Sequence, residues 1–186
     1  DQEDAYHVDC GRSYAGDTGS ITAIDADTTS DTITGITQAN PAVVTATGHS
    51  FSTDDFLKIS GVVGMVGVNE ITFKATSVTA DTITLETTDG TALDTSGYNA
   101  YTSGGTCDHI LTPTVTAHGR SVGDYVKIAG VLGMTELNQN TYRIIGTTTN
   151  TMALSNLGGS RLDYDTFAAY TSGGTAQHSQ TTLVNL

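Results

Sequence analysis

Residues 58–65, KISGVVGM, return as KIAGVLGM at 127–134, and the pentapeptide TSGGT stands at 102–106 and again at 171–175. Both repeats are offset by 69 positions. Gly61 and Gly130, Met65 and Met134, Asn69 and Asn138, and Tyr101 and Tyr170 keep the same spacing. Residues 45–106 therefore align with 114–175 without a gap, and 26 of the 62 aligned positions are identical. A match of that length marks a duplicated domain. Working outward, it divides the 186 residues into an N-terminal segment (1–35), a first module (36–106), a second module (107–176) and a C-terminal strand (177–186).

Within a unit the pattern is short strands between turns. AVVTATG at 42–48 alternates loosely and stops at glycine. DFLKISGV at 55–62 puts Phe56, Lys58 and Ser60 on one face and Leu57, Ile59 and Gly61 on the other, which reads as a strand. Residues 71–78 and 82–87 form a further pair joined by Thr79-Ala80-Asp81, and the second copy repeats the pair at 142–146 and 151–155. No segment holds a period of 3.6 over ten residues, because Gly or Asn interrupts each one. The composition agrees: 35 Thr and 21 Gly stand against 2 Pro, 4 Phe and no Trp, favouring pleated strands and glycine turns. A unit of about 70 residues with four to six short strands buries a core only by curling on itself. The predicted fold is all-β: two tandem small β-barrel or sandwich modules with extended terminal strands.

The shared turn carries the residues singled out as the structural repeat motif. They are Gly61, Gly64, Met65, Asn69 and Phe73 in the first copy, and Gly130, Gly133, Met134, Asn138 and Tyr142 in the second. This spacing suits a tight turn packed against a flexible, gap-filling methionine. Other polar residues recur too: His49 with His118, Asp55 with Asp124, Lys58 with Lys127. A turn and a strand edge that ask for the same polar residue in each copy explain this without chemistry.

With 20 acidic and 7 basic residues the net charge is −13, so phosphate backbones are repelled and direct nucleic-acid binding is not expected. No apolar run approaches the ~20 residues that span a bilayer, and no signal peptide opens the chain, so membrane insertion is not expected either. A first residue that is Asp1 rather than Met suggests a processed product or a portion of something longer. Cys10 and Cys107 lack CxxC spacing and read as two unrelated thiols. No GxSxG occurs, and GDTGS at 16–20 lacks the phosphate-loop frame. His7, His49, His109, His118 and His178 are scattered, which does not indicate a zinc site. The pairs Asp25/Asp27, Asp54/Asp55 and Asp163/Asp165 do not follow a calcium-loop spacing and read as solvated loop charge. Tyr98, Tyr101, Tyr164 and Tyr170 either line a sugar-binding surface or cap a barrel. The reading therefore expects no catalytic, cofactor or metal residues, and no enzyme.

ITQANPAVVTATGHSF (36–51), then DFLKISGVVGM and VNEITF, then YNAYTSGGT (98–106), resemble a known family. They are similar to the small β modules related to the first catalytic cysteine half-domain of ubiquitin-activating enzymes, which recur in tail and other virion proteins of tailed bacteriophages. The motif GM-x-x-[LV]-N-x-x-x-[FY] stands as Gly64, Met65, Val68, Asn69 and Phe73, and again as Gly133, Met134, Leu137, Asn138 and Tyr142. The resemblance does not imply ubiquitin activation, which belongs to an adenylation and a cysteine domain. EDAYHVDCGRSYAG (3–16) is similar to a segment of the tail-nozzle proteins of short-tailed phages through Asp4, Ala5, Val8, Asp9, Gly11 and Tyr14, while Arg12 replaces an apolar residue.

These resemblances imply a non-enzymatic structural component of a phage virion, in its tail at or near the nozzle. The alternatives are an adhesion module that binds host-surface glycans, or a capsid decoration or fibre protein. The implied partners are identical subunits and other virion proteins. Residues 6–10 and 181–186, strand-like and without a partner inside a module, are expected to make the subunit contacts.

Overall fold

The structure, a computed structural model, describes residues 18–179. Cys10, the nozzle-like segment 3–16 and the strand-like ends 6–10 and 181–186 lie outside the described residues. The first half of the chain carries β1 (Thr18–Ser20), β2 (Ala23–Asp25), β3 (Ser30–Thr32), β4 (Gly35–Ile36), β5 (Val43–Thr45), β6 (Phe56–Ser60) and β7 (Ile71–Val78). The second carries β8 (Thr82–Thr87), β9 (Thr106–His109), β10 (Thr112–Thr114), β11 (Tyr125–Leu132), β12 (Thr141–Thr147), β13 (Met152–Ser155) and β14 (Ser172–Ser179). Among the described residues the helical elements are two 3-10 turns, Val66–Val68 and Thr135–Leu137. The chain is all-β, and the strands expected at 42–48, 55–62, 71–78, 82–87, 142–146 and 151–155 are present, trimmed or extended by a few residues.

Seven strands form the first sheet, in the order β3-β9-β6-β7-β8-β5-β4. Its two outermost strands, β3 and β4, are separated in sequence by Ile33 and Thr34 alone. Consecutive residues reach opposite edges of a sheet only if those edges meet. Ile33 N–H donates to Gly105 O (2.9 Å) on the β9 side and Thr34 N–H to Thr45 O (2.8 Å) on the β5 side. The sheet is thus curled into a barrel, which removes open edges. An irregularity between Ala75 and Ser77 in β7 recurs between Ile144 and Gly146 in β12, and such bulges sharpen the local twist.

The second barrel repeats this ring as β1-β14-β11-β12-β13, completed by the pair β10-β2. Ile21 N–H donates to Gly174 O (2.9 Å) and Thr22 N–H to Thr114 O (3.0 Å), the same two-sided closure. Residues 18–35 are therefore not a segment apart from the modules. Their first half, β1 and β2, belongs to the second barrel and their second half, β3, to the first. Unpaired backbone groups at the edges of β14 and β10 give the physical reason, because only strands carrying them donors and acceptors in register satisfy them. The last residues of β14, part of the segment set apart as 177–186, likewise pair with β11 and β1 inside the second barrel.

Each barrel has its own core. Leu57, Ile59, Met65, Phe73, Ile83 and Leu85 fill the first, and Val126, Ile128, Met134, Tyr142, Ile144 and Leu154 the second. Phe56 alternates outward from β6 yet is 1% exposed, because it packs with Ile110, Ala153 and Ile145 between the barrels. A Cβ on Gly146 would lie 2.3 Å from the Phe56 ring, so this glycine gives the ring its seat.

Candidate functional site

The motif shared by both copies is built from backbone bonds. Asn69 Oδ1 accepts Val62 N–H (2.8 Å) and its amide donates to Val62 O (2.9 Å); Asn138 does the same with Val131 at 2.8 and 2.9 Å. Gly64 and Gly133 have φ of 89° and 86°, in the left-handed region that glycine tolerates best. Cβ atoms there would lie 2.2 Å from Ala100 O and 2.1 Å from Ala169 O. Met65, Phe73, Met134 and Tyr142 are buried. The hydroxyl of Tyr101 donates to carbonyls of Ile33 and Gly104, and that of Tyr170 to those of Ile21 and Gly173, so each ties the closing segment to its barrel. Tyr164 is buried, whereas the ring of Tyr98, 37% exposed, lies over Gly67.

The recurring polar residues share positions more than partners. Asp55 and Asp124 each accept a backbone N–H three residues upstream, from Ser52 (2.6 Å) and Ser121 (2.9 Å). Lys58 pairs with Glu70 at 2.5 Å, whose counterpart in the second copy is the neutral Gln139. His118 is held by backbone alone: Nε2 donates to Thr148 O and Thr151 O, while Nδ1 accepts Arg120 N–H. Asp165 lies 3.7 Å from Arg161. Burial, and then the charges of Asp31 and Asp108, push the Cys107 thiol up to about 12, which leaves it protonated and unreactive.

One cluster does gather several polar side chains, where the two barrels adjoin. His109 ends β9 and is 2% exposed, its ring stacked on Phe51 with centroids 3.8 Å apart. Its Nε2 lies 2.9 Å from Ser50 Oγ and 3.6 Å from Asp27 Oδ2. The His109 carbonyl accepts Tyr164 Oη–H (2.7 Å) and Arg161 Nε–H (2.8 Å) from the second barrel. The guanidinium of Arg161 covers the Tyr164 ring at 4.5 Å. Desolvation alone would raise the pKa of Asp27, but hydrogen bonds from Thr29 and Ser50 and the charge of His109 outweigh it and hold it at about 2. Asp55 moves the other way, raised by burial and further by the charge of Asp25.

Ligand atoms of Asp25, Asp55 and His109 all lie within 4.8 Å of one another. In the sequence the two aspartates read as solvated loop charge and His109 as one of five scattered histidines. Asp25 comes from β2, Asp55 precedes β6, and His109 follows 54 residues later, so only pairing of β6 with β9 and β2 with β10 brings them together. One signal was present. The 69-residue offset extends past Thr106 to join His109 with His178, marking His109 as a position both copies keep.

The family described as the ubiquitin-activating enzyme E1 FCCH domain matches residues 39–111 and, a second time, residues 109–180. No curated protein matches the chain.

Proposed function

Because the chain belongs to the family of the ubiquitin-activating enzyme E1 FCCH domain, in two tandem copies, we propose that it is a non-enzymatic building element of a larger assembly, a component of a phage virion at its tail. One observation carries this reading. The residues that both copies keep, among them Asn69 and Asn138, Gly64 and Gly133, and Tyr101 and Tyr170, close and brace the barrels. Residues kept for architecture point to shape and contact as what both copies are for. The net charge of −13 favours mutually repelling, soluble barrels, leaving association to specific contacts. The phage assignment itself rests on the sequence resemblance of residues 36–106 and 107–175 and of the segment 3–16. Identical subunits and other virion proteins are the partners it implies.

The test is assembly. The full chain, compared with a chain lacking residues 1–17 and 180–186, is measured by light scattering and by incorporation into particles when co-produced with neighbouring virion proteins. Loss of assembly with retained barrels supports contacts through the ends. Normal assembly of the trimmed chain places the contacts on the barrels, and absence from purified particles refutes the virion reading. A host-glycan array on the full chain tests the adhesion alternative, which saturable binding abolished by Tyr98→Ala would favour.

A further inference from the structure

We propose that Asp25, Asp55 and His109 bind one divalent transition-metal ion of the Zn2+ class, which clamps β2 of the second barrel to the first barrel. Asp25 belongs to β2 of the second barrel, Asp55 and His109 to the first, and their ligand atoms lie within 4.8 Å of one another.

The hydrogen bonds around His109 decide which nitrogen is open. Nε2 faces Ser50 Oγ at 2.9 Å and, at 3.6 Å, Asp27 Oδ2, a carboxylate oxygen that only accepts, and this setting calls for a proton on Nε2. Ser50 Oγ, 2.9 Å from Nε2, is then an acceptor, and Nε2 carries the imidazole proton. Nδ1 is left with a lone pair, buried and without a hydrogen-bond partner on a residue that is 2% exposed. A buried acceptor without a partner is costly, and the His109 ring offers a nitrogen within 4.8 Å of ligand oxygens of both Asp25 and Asp55. A cation satisfies all three.

The donor set narrows the ion. Ca2+ and Mg2+ prefer all-oxygen shells, whereas an imidazole with carboxylates suits Zn2+ and its neighbours. A ligating histidine whose other N–H is fixed by a hydroxyl and a carboxylate behind it is the usual supporting arrangement. Asp55 keeps one oxygen on Ser52 N–H, and Asp25 keeps Oδ1 on Asp27 N–H, so each has a second oxygen for the ion. The second copy repeats Asp124 and His178 but has Gly119 where Ser50 stands, so the orienting hydroxyl belongs to the first copy alone.

The full chain, stripped with chelator, is titrated with ZnCl2 by calorimetry, and its Tm is followed with and without the ion. The expected result is one saturable site per chain and a higher Tm with Zn2+. Asp25→Asn and Asp55→Asn should each weaken binding at least tenfold while the chelated variants melt no lower than the chelated parent. Asp163→Asn should bind as the parent does. Absence of saturable binding overturns the proposal, as does undiminished binding by the Asp25→Asn/Asp55→Asn chain. Equal affinity for Ca2+ overturns the role given to the imidazole.

Discussion

Ile21 and Ile33, twelve residues apart in the chain, occupy the same place in two different barrels. Each donates its backbone N–H over 2.9 Å to the second glycine of a TSGGT turn, Gly174 for Ile21 and Gly105 for Ile33. The tandem barrels are therefore nested: the first, from β3 to β9, interrupts the second, which begins with β1 and β2 and resumes at β10.

Nesting makes the two barrels unequal as fragments. A chain of residues 26–110 retains all seven strands of the first barrel and should give a dispersed NMR spectrum. Residues 107–186 lack β1 and β2, expose the edge of β14 and lose Ile21 from the core, so they should be unfolded or aggregated. Adding back residues 18–25 by fusion should restore folding. An independently folded 107–186 fragment contradicts the nesting.

Gly133→Val should destabilise the chain by about 3 kcal/mol, since it combines a left-handed φ with a Cβ 2.1 Å from a backbone carbonyl. Gly48→Ala is the control. Its φ is 70° but nothing lies within 4 Å of the new methyl, so only backbone strain of about 1 kcal/mol remains. Denaturant melts of both variants check the difference, and equal costs would mean the contact with Ala169 O is not felt.

Gly146→Ala should cost about 1–3 kcal/mol by overpacking against Phe56. In a Phe56→Ala background the same change should be nearly neutral, because the methyl then fills the space the ring left. A double-mutant cycle by urea unfolding reads the coupling. Additive effects would place the cost of Gly146→Ala within its own barrel.

Two aspartates of the junction should answer pH in opposite senses when measured in chelator. Asp27 has a folded pKa of about 2, below its usual 3.8, so the charged form is favoured by folding. Its contribution is present above about pH 4 and is lost as pH falls through 2. Asp27→Asn should therefore lower Tm at pH 7 and matter least at pH 2. Asp55 is raised above 3.8, so its contribution is present below that value and lost as pH rises through the raised pKa. Asp55→Asn should raise Tm at pH 7, with the gain vanishing below pH 4. Thermal melts across this range check both signs.

Much of the architecture is legible without coordinates. Alternation in DFLKISGV put Leu57 and Ile59 on one face, and both are fully buried. The Gly64 and Gly133 turns follow from their spacing to Met65 and Met134. The assignment of β1 and β2 to the second barrel was also written locally, in ITAI at 21–24 against ITGI at 33–36, but four residues are too few to stand out beside a 62-residue repeat. Burial of Phe56 was not legible at all. Its partners, Ala153 and Ile145, lie about ninety residues away, and an outward position on a strand reads as solvent-facing until a second barrel covers it.

What the amino-acid order determined by itself is everything that depends on neighbours along the chain: the duplication, strand periodicity, turns with positive φ, and an acidic surface. These are local properties, set by steric limits at each residue and by the two-residue period of a strand. Only the tertiary structure decided which strand closes which barrel and that Asp25, Asp55 and His109 meet. Both depend on hydrogen-bond partners and charges brought together across long stretches of chain, and the energy of such pairs is set by distance in space, which sequence separation does not report.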